Sequence, residues 1–455
     1  MSEPASRLVC SGCGASPVAG DPYPFRCPRA GQGDVDHVLT RTLDPARVSF
    51  PAGPAAGEPF VRYRQLLHSY HRATSGGLSD GGFVALVERL DKAVAAVDGR
   101  GFLATPFQRS ERLSDALGFE RQGGVWVKDE THNVSGSHKG RHLMGVLLHL
   151  EVAEQLGLSG PPGAGGRPRR PDLAIASCGN AALAAAVVAA AGGWRLRVFV
   201  PVDADAGVLR RLSDLGADVV VCPRQPGAPG DPTYARLREE LSAGALPFTC
   251  QGNENGLAIE GGETLAYEMV SDLASGAVTL DHVVVQVGGG ALASACVQAF
   301  AEAAQLGAVA RLPRTHTVQT EGGHPLERAY QRVAGLLSTS PSPVDVERAL
   351  HKAATERSAY MWPWESEPKS MAGGILDDET YDWVAVVGGM LRTGGRPVVV
   401  SEERLGEALK LGRDAGYQVD ATGSSGLAGL LDLVERGVVR PDETVAVLFT
   451  GVERN

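Results

Sequence analysis

Apolar residues along this chain gather in short, nearly continuous runs that alternate with longer stretches of helical period. The runs Val125–Lys128, Leu173–Ser177, Leu196–Val200, Val219–Cys222, His282–Val287, Thr315–Gln319, Pro397–Val400 and Val445–Thr450 read as buried strands. Between them, Gly140–Glu154, Asn180–Ala191, Ala206–Leu215, Thr264–Leu273, Gly290–Gln305, Glu403–Ala415 and Ser425–Val434 read as helices. Strands that are apolar on both faces and alternate with helices predict an α/β protein built on parallel sheets covered on either side. Gly157–Pro171, Pro223–Pro232 and Ser338–Pro343 read as loops, and no internal repeat is present.

Length and charge narrow the picture. The 455 residues are enough for roughly two to three domains, and 43% hydrophobic with 21% charged residues is a globular composition. Acidic residues exceed basic ones, 53 to 43. That balance argues against a broad nucleic-acid or anionic-membrane surface. The 58 glycines imply many tight turns and close backbone approaches. The first residues lead into Leu8-Val9-Cys10 without the apolar core of a secretory signal. The most apolar stretch, Leu173–Gly193, carries Ser177 and Asn180 and suits a buried strand-loop-helix better than a membrane span. Seven cysteines, four of them in apolar segments, suit a reducing cytoplasm.

Three strand-to-helix junctions carry the candidate chemistry. In the first, Ser135-Gly136-Ser137-His138 leads into a helix, which places Lys139 at a helix N-terminus. The helix dipole disfavours a cation there. The lysine is therefore bonded to an anion, set up to react, or simply a surface residue. In the second, Ser177-Cys178-Gly179-Asn180-Ala181 offers backbone N–H groups for a small carboxylate, although Asn180 also reads as a plain helix cap. In the third, Gly288-Gly289-Gly290 lets the backbone wrap a phosphate. Gly288, Gly290 and Ala293 fit a relaxed dinucleotide fingerprint as well, but its acidic partner would have to be Glu321, which lies too far along.

Taken in this order, with Thr105-Pro106-Phe107 upstream and Phe449-Thr450-Gly451 at the end, the motifs resemble the fold-type II pyridoxal-phosphate enzymes. This is the tryptophan synthase β superfamily, which includes threonine synthases and the serine/threonine and diaminopropionate ammonia-lyases. The resemblance spans about Gly101 to Gly451. It implies two doubly wound parallel-sheet domains: a small mobile one over 141–255, and a large cofactor-binding one over 49–140 and 256–455, preceded by a ribbon-like segment over 1–48. It also implies residue roles. Lys139 holds pyridoxal phosphate as an imine and moves protons. Asn180 bonds the phenolic oxygen. Ser177, Cys178 and Ala181 receive the substrate carboxylate. Gly288, Gly289, Gly290, Ala291 and Leu292 cradle the phosphate. His138 either adds a phosphate contact or is a packed ring. Thr450 faces the pyridine nitrogen, where a hydroxyl does not enforce protonation and so leaves a weaker electron sink.

Among these relatives the signals divide. Cys10, Cys13 and Cys27 resemble the zinc ribbon of many threonine synthases, with His37 as the candidate fourth ligand; the alternative is a vestigial ribbon of free thiols. The segment from Glu260 to Glu268 leans the same way, whereas Lys139-Gly140-Arg141 departs from the usual threonine synthase pattern. Ser370-Met371-Ala372-Gly373-Gly374 followed by Trp383 resembles the ammonia-lyases. No basic cluster for a substrate phosphate stands out. The implied reaction is α,β-elimination of a small β-substituted amino acid such as serine, threonine or diaminopropionate through an aminoacrylate, releasing 2-oxo acid and ammonia. The alternatives are β-replacement through the same intermediate, a threonine synthase-like reaction on a homoserine ester, and a non-catalytic cofactor-binding protein. Glu321, Gly322 and Gly323 are candidates to line the β-carbon, and a homodimer is the family expectation.

Overall fold

The computed structural model describes residues 4–159, 170–224, 231–366 and 368–453. Among them are twelve strands: β1 (Ser6–Cys10), β2 (Leu39–Leu43), β3 (Phe107–Arg109), β4 (Gly124–Asp129), β5 (Leu173–Ala176), β6 (Leu196–Val200), β7 (Asp218–Val221), β8 (Leu246–Pro247), β9 (His282–Gln286), β10 (Arg314–Thr320), β11 (Pro397–Val400) and β12 (Thr444–Phe449). They form a six-stranded sheet in the order β11-β10-β9-β12-β4-β3, a four-stranded sheet in the order β7-β6-β5-β8, and the pair β1-β2.

The apolar runs become strands because each supplies two cores at once. In β12, Ala446 and Leu448 join one hydrophobic cluster, while Val445, Val447 and Phe449 join another on the opposite face. In β9, Val283 and Val285 face the first cluster and Val284 the second. The four-stranded sheet repeats this, with Ile175 and Val198 in one cluster and Ala174 and Phe199 in another. The pair β1-β2 is antiparallel. The two larger sheets are parallel, as expected, with one exception. Edge strand β3 runs antiparallel to β4, pairing Phe107 with Lys128, because the short turn after Arg109 leads into a helix and returns directly to β4.

Several helices were not anticipated. Pro232–Ser242, Pro325–Ala334 and Pro343–Thr355 each open with proline in the first turn. Proline fits there because its missing N–H is not needed, so two prolines expected to close loops instead start helices. The remaining parts of the loops expected over 157–171 and 223–232 fall largely outside the described residues. The helix expected at Thr264 begins earlier, at Ala258. It runs through Gly261 because the helix Lys139–Gln155 crosses there: a methyl on Gly145 would lie 2.9 Å from Gly261 Cα. That crossing, together with the packing of Asn180–Gly192 and His68–Ser75 on its other sides, buries nearly all of Lys139–Gln155 beyond its first residue.

The N-terminal segment is tied into this body. Arg41 on β2 is buried against Glu263, Glu302 and Tyr267, and the Asp36 N–H donates to the Ala354 carbonyl at 2.7 Å. No helix among the described residues is long and apolar enough to cross a membrane.

Candidate active site

Four junctions meet where the strands end. β4 and β12 are paired to their last residues, Asp129 with Phe449, and the pairing continues beyond them. The Glu130 N–H donates to the Phe449 carbonyl at 2.8 Å, the His138 N–H donates to the Thr450 carbonyl at 3.3 Å, and Ser137 bridges Gly451. The turn before Lys139 is sharp because Ser135 and Gly136 both take positive φ, 57° and 67°. Lys139 therefore emerges half-buried as the first residue of its helix, against residues more than three hundred positions away. Asn180 opens the helix Asn180–Gly192 and approaches the same point, its Nδ2 lying 2.9 Å from where a Gly451 Cβ would be. Ser177 and Ala181 are half-buried beside it, and Cys178 is exposed.

The glycine loop fits an anion. Gly290 has φ 97°, open to glycine at little cost. A methyl at 288 would overlap the Asp377 carboxylate, and one at 289 would lie 2.9 Å from the Tyr381 ring. Thr380 Oγ1 donates to the Gly288 carbonyl at 3.0 Å, and the Asp382 N–H donates to the Gly289 carbonyl at 3.1 Å. The loop's carbonyls are thus held by residues 380–382, while the Gly289 N–H is directed to a carboxylate, that of Asp377. An anion from the chain itself stands where the loop offers its donor.

Electrostatics around Lys139 are acidic. Burial pushes the Asp377 carboxyl up to about 6, against the pull of Lys139 and the Gly289 N–H. Burial raises Asp382 to about 7, opposed by the Gly252 N–H and by Lys139. One oxygen of Asp382 accepts from Gly252 at 3.3 Å, and the other has no partner among the described residues. Burial also holds His138 and His142 below their ordinary range, with Lys139 adding to the shift. Each ring is bonded through Nδ1, to the Thr450 and Ala258 carbonyls respectively, leaving Nε2 without a partner among the described residues.

Beneath the site lies a buried charge cluster. Arg141 donates to Glu130 through Nε at 2.8 Å, to Glu268 through Nη1 at 2.6 Å, and also to Thr105 and Thr264. Lys128 Nζ lies 2.5 Å from Glu268. Burial works to raise Glu130, but Arg141 and Lys128 outweigh it and hold that carboxyl at about 2. Every N–H of Arg141 is spent inside the body. Thr450 Oγ1 takes a hydrogen bond from Gln286 Nε2 at 2.6 Å.

Asp377, Asp382, Tyr381 and Gln286 were absent from the expected set. Their signals were an acidic run just before Trp383 and a polar residue inside an apolar strand. Glu321 is exposed and Gly322 packs on the Lys369 backbone. At the far N-terminus, Cys10, Cys13, Cys27 and His37 converge with all ligand atoms within 4.8 Å of one another. Cys10 Sγ and His37 Nδ1 are 3.6 Å apart, as are Cys13 Sγ and Cys27 Sγ. A tetrahedral zinc site has ligand–ligand edges of about 3.3–3.8 Å.

An open parallel sheet with a lysine, an asparagine-bearing turn and a glycine anion loop at its carboxyl edge defines a phosphate-cofactor enzyme of the α/β class. The sequence profile of the pyridoxal-phosphate dependent enzymes matches residues 100–451, and the chain belongs to that family. Its curated relatives include the threonine synthase of Methanocaldococcus jannaschii, 25% identical over 349 residues, covering 76% of this chain and 74% of that one. A probable D-serine dehydratase of Paracidovorax citrulli is 32% identical over 192 residues, covering 37% of this chain and 40% of that one. Among solved structures, the processed form of threonine deaminase isoform 2 from Solanum lycopersicum aligns with a TM-score of 0.58 at 15% identity. That alignment covers 90% of this chain and 94% of that one.

Proposed function

We propose that the protein is a pyridoxal-phosphate lyase that eliminates the β-substituent of a small amino acid, with Lys139 as its anchoring lysine and base. The observation that carries this is the acidic wall at Lys139. Asp382, with one carboxylate oxygen unpartnered among the described residues, suits a neutral or cationic side chain, and Arg141 has no N–H left for a phosphate ester. Asp377, which meets the Gly289 N–H where the cofactor phosphate is to sit, would give way to that phosphate. Pyridoxal phosphate, when bound, supplies the electron sink that acidifies the α-carbon. The chain does the rest. Backbone N–H groups of Gly288–Leu292 hold the phosphate, and Asn180 donates to the ring oxygen. The turn Ser177, Cys178, Ala181 orients the substrate carboxylate. Lys139 Nζ then takes the α-proton and returns it to the departing group. The portion 141–255 closes over the substrate as a mobile unit. The partial likeness to a D-serine dehydratase supports elimination.

A second reading, threonine synthase chemistry, is favoured by the longer likeness to the archaeal enzyme. We also propose that Cys10, Cys13, Cys27 and His37 hold a zinc ion.

The test is an absorbance spectrum of purified protein beside Lys139→Ala, each titrated with serine, threonine, diaminopropionate and a phosphorylated homoserine. Elimination predicts a visible band lost in the variant, and 2-oxo acid with ammonia from one of the first three. Turnover of the homoserine ester alone would replace it with the second reading. A spectral change without oxo acid would point to β-replacement.

A further inference from the structure

Gln286 is buried at the end of β9, in the middle of an otherwise apolar run, and its amide has one defensible orientation. Nε2 lies 3.0 Å from the Gly423 carbonyl, 3.0 Å from the Leu448 carbonyl and 2.6 Å from Thr450 Oγ1. Turning the amide over would set its oxygen against two carbonyl oxygens. An amide nitrogen has no lone pair to accept with, so in the short contact the Thr450 oxygen is the acceptor, and the two protons of Nε2 are shared among three oxygens. The hydroxyl proton of Thr450 must then point elsewhere, and Gln286 is the only hydrogen-bond partner of Oγ1 among the described residues. Gln286 bears a cost for this, since its own Oε1 is buried without a partner among the described residues.

We propose that Gln286 is a positioning residue that fixes the Thr450 hydroxyl as a donor, so that the ring nitrogen of pyridoxal phosphate accepts from it and stays unprotonated. This rests on the proposed function, in which Thr450 faces that nitrogen. A neutral ring stabilises a carbanion less, which favours prompt loss of a β-substituent over racemisation or transamination. The polarity is set from behind by one amide, and the two carbonyls that hold the amide also come from elements flanking the site: Gly423 on the helix Ala421–Glu435 and Leu448 on β12.

The experiment is ¹⁵N NMR of holoenzyme reconstituted with cofactor labelled at the ring nitrogen, for wild type, Gln286→Glu, Gln286→Met and Thr450→Ala. Wild type is expected at the unprotonated position and unmoved between pH 6 and 9. In Gln286→Glu the carboxylate accepts the Thr450 proton, the hydroxyl turns its lone pair to the ring, and the resonance moves upfield toward pyridinium. Gln286→Met, which removes the donor without adding charge, is expected to move it part of the way. The same Gln286→Glu change placed on Thr450→Ala is expected to have no effect. A protonated ring in wild type, or identical resonances in wild type and both Gln286 variants with full cofactor occupancy, would overturn the proposal. Should neither variant hold cofactor, the wild-type resonance and its response to Thr450→Ala decide it. Failure of wild type to bind the cofactor at all would instead overturn the proposed function.

Discussion

His138 Nδ1 lies 3.3 Å from the Thr450 carbonyl oxygen, and that contact fixes where the imidazole proton sits. A carbonyl can only accept, so Nδ1 carries the hydrogen and the neutral ring presents a bare lone pair at Nε2. Burial and the nearby Lys139 keep the ring neutral when no anion is bound. A phosphate dianion beside Nε2 has no proton to give. Where the cofactor phosphate lies against Nε2, the ring would take one up as the cofactor binds.

The consequence is a pH-dependent contribution to cofactor affinity. His138→Phe is expected to weaken pyridoxal-phosphate binding about tenfold near pH 6.5, the worth of one modest charge-assisted hydrogen bond. The difference between the two proteins should shrink toward nothing by pH 9, where protonating the ring becomes too costly. Titrating both apoproteins with cofactor across that range checks it. A ratio that stays flat with pH would make His138 a packed ring only.

Arg141 neutralises two buried carboxylates at once. Arg141→Leu leaves Glu130 and Glu268 with Lys128 alone, and removing one partner of a buried ion pair costs about 3–5 kcal/mol. Glu130 is held below its unfolded value, at about 2, with burial opposing and Arg141 prevailing. Its stabilising contribution is then complete above pH 4.5 and lost as pH falls toward 2. The gap between wild type and variant in denaturant midpoint is expected to be widest at neutral pH and to close on acidification.

The legible parts of this molecule were those with a local signature. Leu196–Val200 is a strand at the residues expected because its apolar run is buried on both faces. Lys139 falls at its helix start because the preceding Ser135-Gly136 turn is visible in sequence. The helix Asp80–Asp98 was missed although Ser79 caps it and Gly99 ends it in the left-handed region, signals as plain as those that were used. Asp377 and Asp382 are a different matter. An acid in a loop looks the same whether it is solvated or buried in a packed interior, and only the tertiary fold separates the two. Gln286 was discoverable, since a polar side chain at the buried end of a valine-rich strand must be bonded to something.

The cysteine cluster makes a prediction that does not depend on the cofactor. Purified protein is expected to carry about one zinc per chain, lost in Cys27→Ser and retained in Cys250→Ser, whose thiol is buried far along the chain. The cluster also leans on the site. Asp36, next to His37, accepts from Trp383 Nε1 at 3.2 Å and from Arg357 Nε at 3.2 Å, and Trp383 directly follows Asp382. Stripping the metal should therefore lower the thermal midpoint and weaken cofactor binding together. Metal analysis of wild type showing no zinc would remove the proposal.

Asp382 is costly where it stands. The carboxyl is 2% exposed, one oxygen has no partner, and burial lifts it to about 7, against the Gly252 N–H and Lys139. An unfolded aspartate ionises near pH 3.9, so between that pH and about 7 the unfolded chain releases a proton that the folded one keeps. Stability attributable to this group is therefore intact in acid and drains away as pH rises through neutrality, by at most about 1.4 kcal/mol per pH unit. Asp382→Asn keeps an oxygen for the Gly252 N–H and cannot ionise. It is expected to match wild type at pH 4 and to melt progressively higher than wild type from pH 5 to 8. Above pH 7, where the wild-type carboxyl is ionised, the same change should lower turnover of a substrate with a cationic side chain more than that of serine. Parallel melting curves across this range would mean that Asp382 is already ionised in the native protein and paired with Lys139.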